Sequence, residues 1–440
     1  MDVEEYVRRR ITGCADRETL QKNLTDRILE TKDVRRSYAD AFSQAVINEV
    51  KNTLGLKGDF FEYEPAHVKM GEFGVGSRGQ GDFFAHRQIA RIIGKTSASV
   101  GVDEMDDAGA VCAEGKYIVC TVDGMHSRLS DYPFLAGFHV TRATLRDAYV
   151  MGAKPIMLFS DIHVADDGDV AKIFDYTAGI TTVGEAMNVP LVTGSTLRIG
   201  GDMVLGSRLT GCVGAVGVAE HLTARKATKA GDVILMSEGA GGGTIATAAI
   251  YSGFPEVVEH TINLNFLMAC ETLMKSEVFS RIHAMTDVTN GGLRGDVFEM
   301  AETANCRIVI DEAATTTLVE PHVRAMLEKL EIDYLGVSLD ALLVVAPPDA
   351  AAEICRMVKT AGVRMRQVGY VQTGKPESVL IMDGKECDFT PRFRESAYTP
   401  VKKVVDTDTR NFEVMKEGVL HAAEAAMQKK ERVLKKLLKK

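Results

Sequence analysis

The chain has 440 residues, 45% hydrophobic and 26% charged, with a formal net charge of -9. This is ordinary globular composition, long enough for two or three cores, and the acidic balance argues against nucleic acid as the general partner. No apolar run reaches membrane-spanning length and the opening MDVEEYVRRR has no hydrophobic signal core, so the expected location is cytoplasmic.

The stretch from residue 1 to 64 reads as charged helices, for example DVRRSYADAFSQAVINEVKNTLGL, and is expected to form a helical extension. GEFGVGSRGQGD, residues 71–82, follows. Its literal G-x-G-x-x-G lacks the buried strand that a dinucleotide site needs before it. Asp82 is the expected N-cap of a helix through FFAHRQIARII. A glycine loop feeding a helix N-terminus suits an anion, which makes phosphate the candidate ligand. Gly94-Lys95-Thr96 is no P-loop, because Ile89 stands where its first glycine is required.

Residues 65–225 alternate the β-rich runs YIVCTVD, PIMLFSDIHV, VPLVTGS and GCVGAVGVA with helices. One of these helices is PFLAGFHVTRATLRDAYVMGA, ended by Gly152. A second α+β unit, 226–400, opens at AGDVILMSEGAGGGT and continues through helices at 262–280 and 292–305 to a strand in GVSLDALLVVAPP. The tail, 401–440, ends in the basic amphipathic AAEAAMQKKERVLKKLLKK. Its leucine stripe is expected to pack on a subunit, with an anionic surface or RNA as the alternative contact. The eight cysteines are scattered without a CxxC pair, which fits reduced thiols rather than a zinc cluster or disulfides.

Aspartates recur where strands meet loops: Asp106 and Asp107, Asp123, Asp147 and Asp287. One such aspartate is usually a cap or turn residue. Several together, beside a phosphate-type loop, point to Mg²⁺ and phosphoryl chemistry, because Mg²⁺ takes one or two carboxylates and leaves positions for phosphate oxygens. No Ser/His/Asp set or HExxH motif is recognisable.

In order, MDDAGAV, TVD, RDAYVMGAKPIM, TGSTLRIGG with GCVG, GDVILMSEGAGGGT and AMTDVTNGGLRGDVFEMA resemble the superfamily of aminoimidazole ribonucleotide (AIR) synthetase and selenophosphate synthetase. That superfamily also holds thiamine-monophosphate kinase and a hydrogenase maturation protein. The wording is nearest to selenophosphate synthetase, whose T-D-V-T-x-x-G-L-x-G-x-x-x-E-M is matched from Thr286 to Met300, and the likeness spans about residues 70–385. It implies a two-domain α+β fold, here with helical extensions at both ends, that binds ATP with Mg²⁺ between the domains. It also implies a homodimer through strands of the amino-terminal domain.

Carried over by motif, the metal ligands are Asp106 or Asp107, or both, with Asp123 and Asp287. Arg78 and Asp147 are the catalytic candidates, and Gly74, Gly76, Ser77, Gly79, Gly81 and Thr196 the nucleotide contacts. The synthetases' Gly-Cys(or Sec)-Gly-Cys-Lys reads Gly74-Val75-Gly76-Ser77-Arg78 here. Their G-G-[DEHQ]-T reads Thr193-Gly194-Ser195-Thr196, and S-G-G-L-L reads Ser338-Leu339-Asp340-Ala341-Leu342-Leu343. The expected activity is therefore ATP- and Mg²⁺-dependent phosphoryl transfer to, or phosphate activation of, a small acceptor other than selenide. The alternative is a nucleotide-binding assembly or regulatory protein without turnover.

Overall fold

A computed structural model describes residues 2–13, 16–201, 203–395, 397–405 and 410–438. Two sheets organise it. The first contains β1 (Gly109–Ala113), β2 (Lys116–Gly124), β3 (Lys154–Ala165), β4 (Leu191–Ile199) and β5 (Leu209–Ala219), in the order β1-β2-β5-β3-β4. Its pairs are antiparallel except β3 with β4. That parallel pair needs a crossover, which the helix Ala171–Ala186 supplies. β4 is an edge strand exposed along most of its length, with Val192 and Leu197 open to solvent.

The second sheet contains β6 (Val233–Ser237), β7 (Ala284–Asp287), β8 (Arg307–Asp311), β9 (Leu342–Ala346), β10 (Met365–Gln372), β11 (Glu377–Met382) and β12 (Lys385–Asp388). Its order is β12-β11-β8-β10-β6-β9-β7. β6 and β9 are buried at every position, the pattern of strands covered on both faces.

The helix Pro133–Val150 lies between the sheets, and its Phe138, Leu145 and Tyr149 share one core cluster with Val213 of β5, Leu235 of β6 and Val344 of β9. A helix enclosed in this way can carry charged side chains only if partners meet them. Arg142 and Arg146, both buried on it, find those partners in the cavity described below. The helix stops at Val150, and Gly152 takes a left-handed turn beyond it, φ 78°.

Three sequence readings are corrected here. The helix expected over 262–280 is broken into Val258–Thr261, Asn265–Met274 and a 3-10 turn Glu277–Arg281; between the first two the Asn263 side chain accepts from the Asn265 N–H and holds the turn. The strand expected across 336–348 begins only at Leu342, since Asp340 adopts a left-handed φ of 56° and turns its carboxylate to Arg142 and Arg146. The tail helix starts at Phe412, not Ala422, and packs on the helix Gln80–Ile93 of its own chain. It buries Met415 and Ala423, while Leu434, Leu437 and Leu438 stay exposed. Lys430 Nζ donates to the carbonyls of Ile92 and Ile93 at 2.6 and 3.0 Å, satisfying the end of that helix.

At the other end, helices Val3–Thr12, Arg17–Thr31 and Arg36–Thr53 form their own small core around Val7, Leu24, Ile28 and Ile47, joined by Leu205. Buried Lys32 fastens this bundle to Asp167 at 2.6 Å, just beyond β3. No helix among the described residues is long and apolar enough to cross a membrane.

Candidate functional site

A cavity of about 890 Å³ opens between the two domains. Asp106 and Asp107 reach it from the turn before β1, Asp123 from the end of β2, and Arg142, Arg146 and Asp147 from the buried helix. Asp287 enters from the end of β7, and Gly242, Gly243 and Thr244 from the start of the helix Gly243–Ser252.

Charge is organised as a lattice. Arg146 Nε lies 2.7 Å from Asp287 Oδ2, and its guanidinium also pairs with Asp340. Arg142 binds Asp340 Oδ2 at 2.5 Å and donates to the carbonyls of Thr261, Asn263 and Gly241 at 2.7, 2.7 and 2.8 Å. Arg225, fully buried, joins Asp107 Oδ1 at 2.6 Å to Glu299 Oε2 at 2.9 Å and donates to Thr286 Oγ1. Asp107 accepts in addition from the Thr286 hydroxyl at 2.8 Å. Both oxygens of Asp106 are taken by backbone N–H groups, those of Asp107 and Arg225, each at 3.0 Å.

The acids facing the cavity are crowded. Burial pushes Asp106 up to about 7 and Asp287 up to about 6, with Asp107 adding to both. Asp123 is raised by burial, then by Asp107, against the pull of Arg146 and Arg78. Asp147 rises well above the carboxylate range through burial and the repulsion of Asp123, Asp287 and Asp107; Thr121 donates one hydroxyl bond to it at 2.9 Å. Asp287 is met by Arg146 as an ion pair, with no aligned hydrogen bond to either oxygen among the described residues. A crowded carboxylate cluster lining a cavity is what a divalent cation relieves.

Across the cavity, the first turn of Gly243–Ser252 presents N–H groups that no intrahelical acceptor can satisfy. A Cβ at Gly243 would come within 2.4 Å of the His126 ring, so a side chain there would have to displace that ring. His126 itself is driven down to about 4 by burial, then by Lys402 and Arg146, and is neutral at neutral pH.

The glycine segment differs from its expectation. Met70–Phe73 is a short helix, and the next helix, Gln80–Ile93, is capped at Gly79 rather than Asp82. Asp82 is buried and accepts from the N–H groups of Gly76 and Arg78 at 3.0 and 2.8 Å. The N–H groups of Gly74, Val75 and Ser77 go to local carbonyls, and those of Gln80 and Gly81 to Arg392 and Phe393. In this conformation these amides are committed within the chain and are not offered to a phosphate. Gly79 and Gly81 serve close approach instead: a Cβ would sit 2.4 Å from the Phe393 carbonyl and 2.0 Å from that of Phe73, respectively. Phe412 at the start of the tail helix lies against Phe73 and Phe393, ring centroids 5.7 and 4.6 Å away, so the tail clasps this segment. Arg78 points inward to Glu299, to Asp296 at 3.2 Å and to Thr289 at 3.0 Å.

Asp106, Asp107, Asp123, Asp147, Asp287, Arg78 and Gly76 thus border one cavity, whereas Gly74, Ser77, Gly79, Gly81 and Thr196 are not among its lining residues. Thr196 is exposed on β4. Sequence reading missed Arg142, Arg146, Arg225, Asp296, Glu299 and His126. The spacing of Asp296 and Glu299, three apart on a helix beside a glycine turn, was the one available signal.

Residues 105–219 match the family described as AIR synthase related protein, N-terminal domain, and residues 229–381 match its C-terminal domain. The chain belongs to the AIR synthase related proteins. It is 50% identical to an uncharacterized protein of Methanocaldococcus jannaschii over 99% of this chain and 98% of that one. It is 28% identical to a selenide, water dikinase of Myxococcus xanthus over 63% of this chain and 86% of that one. Among solved structures, the hydrogenase maturation protein HypE in complex with ATP superposes with a TM-score of 0.53 at 18% identity, covering 62% of this chain and 85% of that one. AaThiL complexed with AMPPCP and TMP gives a TM-score of 0.55 at 16% identity, covering 71% and 96%. These two likenesses show the AIR synthase fold.

Proposed function

We propose that this AIR synthase related protein binds ATP with Mg²⁺ in the interdomain cavity and transfers phosphate to, or activates through phosphate, a small acceptor other than selenide. The observation that carries the reading is the set Asp123, Asp147 and Asp287, which lines one cavity with the N-terminus of Gly243–Ser252: Asp287 is buried and the other two half-buried, desolvation raises all three, and Asp147 is raised further by the charge of the other two. A relative named selenide, water dikinase and a neighbour in fold solved in complex with ATP support it.

Asp123, Asp147 and Asp287 fit the metal better than Asp106 and Asp107, whose oxygens are engaged by backbone amides, Arg225 and Thr286. Bound Mg²⁺ would supply the positive charge that lets a triphosphate sit among carboxylates. Arg142 and Arg146 hold Asp340 and Asp287 in place, and the amides of 242–244 meet phosphate oxygens. Arg78 stays protonated, so on release from Glu299 and Asp296 it stabilises phosphate charge but moves no proton.

The glycine segment argues against selenide as the acceptor. Val75 has no lone pair to deliver where the synthetases carry a thiol or selenol, and an unassisted Ser77 hydroxyl is a poor nucleophile. The cavity does have a thiol, Cys120, but it lines the wall from β2. Phosphorus NMR of the protein with ATP, Mg²⁺ and selenide should show no selenophosphate above the enzyme-free control; such a resonance would overturn the acceptor assignment. Absence of ADP formation with every small acceptor screened would favour the non-catalytic, nucleotide-binding alternative.

We also infer a cytoplasmic homodimer joined through the exposed edge strand β4, whose Val192 and Leu197 are 54% and 53% open. Light scattering should give twice the chain mass, and Val192→Lys with Leu197→Lys should halve it. A wild-type monomer contradicts the inference.

A further inference from the structure

Outside the cavity, two histidines and a glutamate converge from separate parts of the second domain. His260 belongs to the short helix Val258–Thr261, while Glu320 caps the helix Pro321–Lys329 and His322 lies in its first turn. Glu320 Oε1 is 2.9 Å from His322 Nδ1 and 3.4 Å from His260 Nδ1. The two imidazole rings stack with centroids 4.2 Å apart and planes 19° from parallel. One donor atom from each of the three residues lies within 4.8 Å of the others. We propose that His260, Glu320 and His322 form a binding site for a borderline divalent cation, Zn²⁺ first among them.

The spacing of the donor atoms admits a metal. Around a tetrahedral Zn²⁺ with ligands at about 2.0–2.1 Å, neighbouring ligand atoms stand roughly 3.3 Å apart, and the two measured separations, 2.9 and 3.4 Å, bracket that value. A metal lies in the plane of each imidazole that holds it, so the two stacked rings must turn out of their near-parallel arrangement to share one ion, and His322, mostly exposed, has the room to turn. The second oxygen of Glu320 accepts from the Val323 N–H at 2.7 Å, the kind of outer bond that orients a carboxylate ligand. Imidazole nitrogens select Zn²⁺ or a neighbouring transition metal over Mg²⁺. His322 is 67% exposed at the side chain, which leaves an entry path and room for a water ligand. The N-terminus of Pro321–Lys329 disfavours a cation, so moderate rather than extreme affinity follows.

The site would staple the segments that position Arg142. The residue after His260, Thr261, and Asn263 give Arg142 their carbonyls, and the Glu320 N–H donates to Gly239 O at 2.9 Å, two residues before the Gly241 carbonyl that Arg142 also uses. The metal therefore tightens a wall of the cavity without touching it.

The test is calorimetric titration of Zn²⁺ into chelator-stripped full-length protein in excess Mg²⁺, repeated for His322→Ala and Glu320→Gln. His322 is a surface residue, and glutamine keeps an oxygen for the Val323 amide, so both variants should retain the wild-type circular dichroism and metal-free melting temperature. One saturable equivalent per wild-type chain is expected, weakened at least about tenfold in each variant, with Co²⁺ giving visible absorption only in the wild type. Absence of saturable binding in the wild type, or equal affinity and stoichiometry in both variants, overturns the proposal.

Discussion

Replacing Arg225 with alanine is expected to lower folding stability by about 3–5 kcal/mol, the usual loss when one member of a buried ion pair is removed. Arg225 is fully buried and makes its bonds across the domain junction: Asp107 Oδ1 at 2.6 Å and the Met105 carbonyl at 2.9 Å on one side, Glu299 and Thr286 on the other. Alanine would leave Asp107 and Glu299 buried and short of a counter-charge, with Arg78 alone near Glu299. Lysine keeps the charge but loses the planar fork that reaches both carboxylates, so Arg225→Lys should fall between. Urea denaturation followed by far-UV circular dichroism measures this. A loss below about 1 kcal/mol for the alanine variant, the range of exposed ion pairs, would show that the lattice at the junction is not a buried network.

The second large effect concerns binding. Asp123→Asn and Asp287→Asn should each weaken Mg²⁺-dependent ATP affinity by at least about tenfold, because unit charges near 4 Å interact by about 4 kcal/mol at an effective dielectric near 20 and a lost carboxylate is replaced only in part by its neighbours. Neither change should unfold the protein. Asp287→Asn leaves Arg146 its pairing with Asp340, and Asp123→Asn removes a charge that repels Asp147. Melting in chelator should therefore match or exceed the wild type, which separates loss of metal from loss of fold.

Much of the scaffold was legible because its signals are local. The runs around β2, β3, β4 and β5 carry strand composition between turns, and the glycine at 152 takes the left-handed turn that its place after a helix implies. Asp106, Asp107, Asp123 and Asp287 were legible for the same reason, each standing at a strand end or in a short turn, whereas Asp147, expected where a strand meets a loop, lies inside the helix Pro133–Val150. The arginines were not legible. Arg142, Arg146 and Arg225 read as ordinary helical or loop charges until the fold encloses them, and Asp340, the partner of Arg142 and Arg146, looked like part of a strand.

The glycine segment shows a different limit. Asp82 was expected to cap the helix ahead, but it lies within that helix's first turn and accepts from the N–H groups of Gly76 and Arg78 behind it. No spacing rule distinguishes the two. Periodicity likewise revealed the tail helix but pointed to the wrong contact: the leucine stripe expected to pack stays exposed at Leu434, Leu437 and Leu438, and Met415 and Ala423 are buried instead.

Calorimetric titration of ATP into the full-length protein, once with Mg²⁺ and once with chelator, tests the central claim most directly. Saturable binding with Mg²⁺ that disappears in chelator, and that weakens in Asp123→Asn and Asp287→Asn, is the predicted result. ATP binding of equal affinity in chelator and unchanged in both variants would contradict the assignment of the aspartate cluster to a cation-bridged triphosphate.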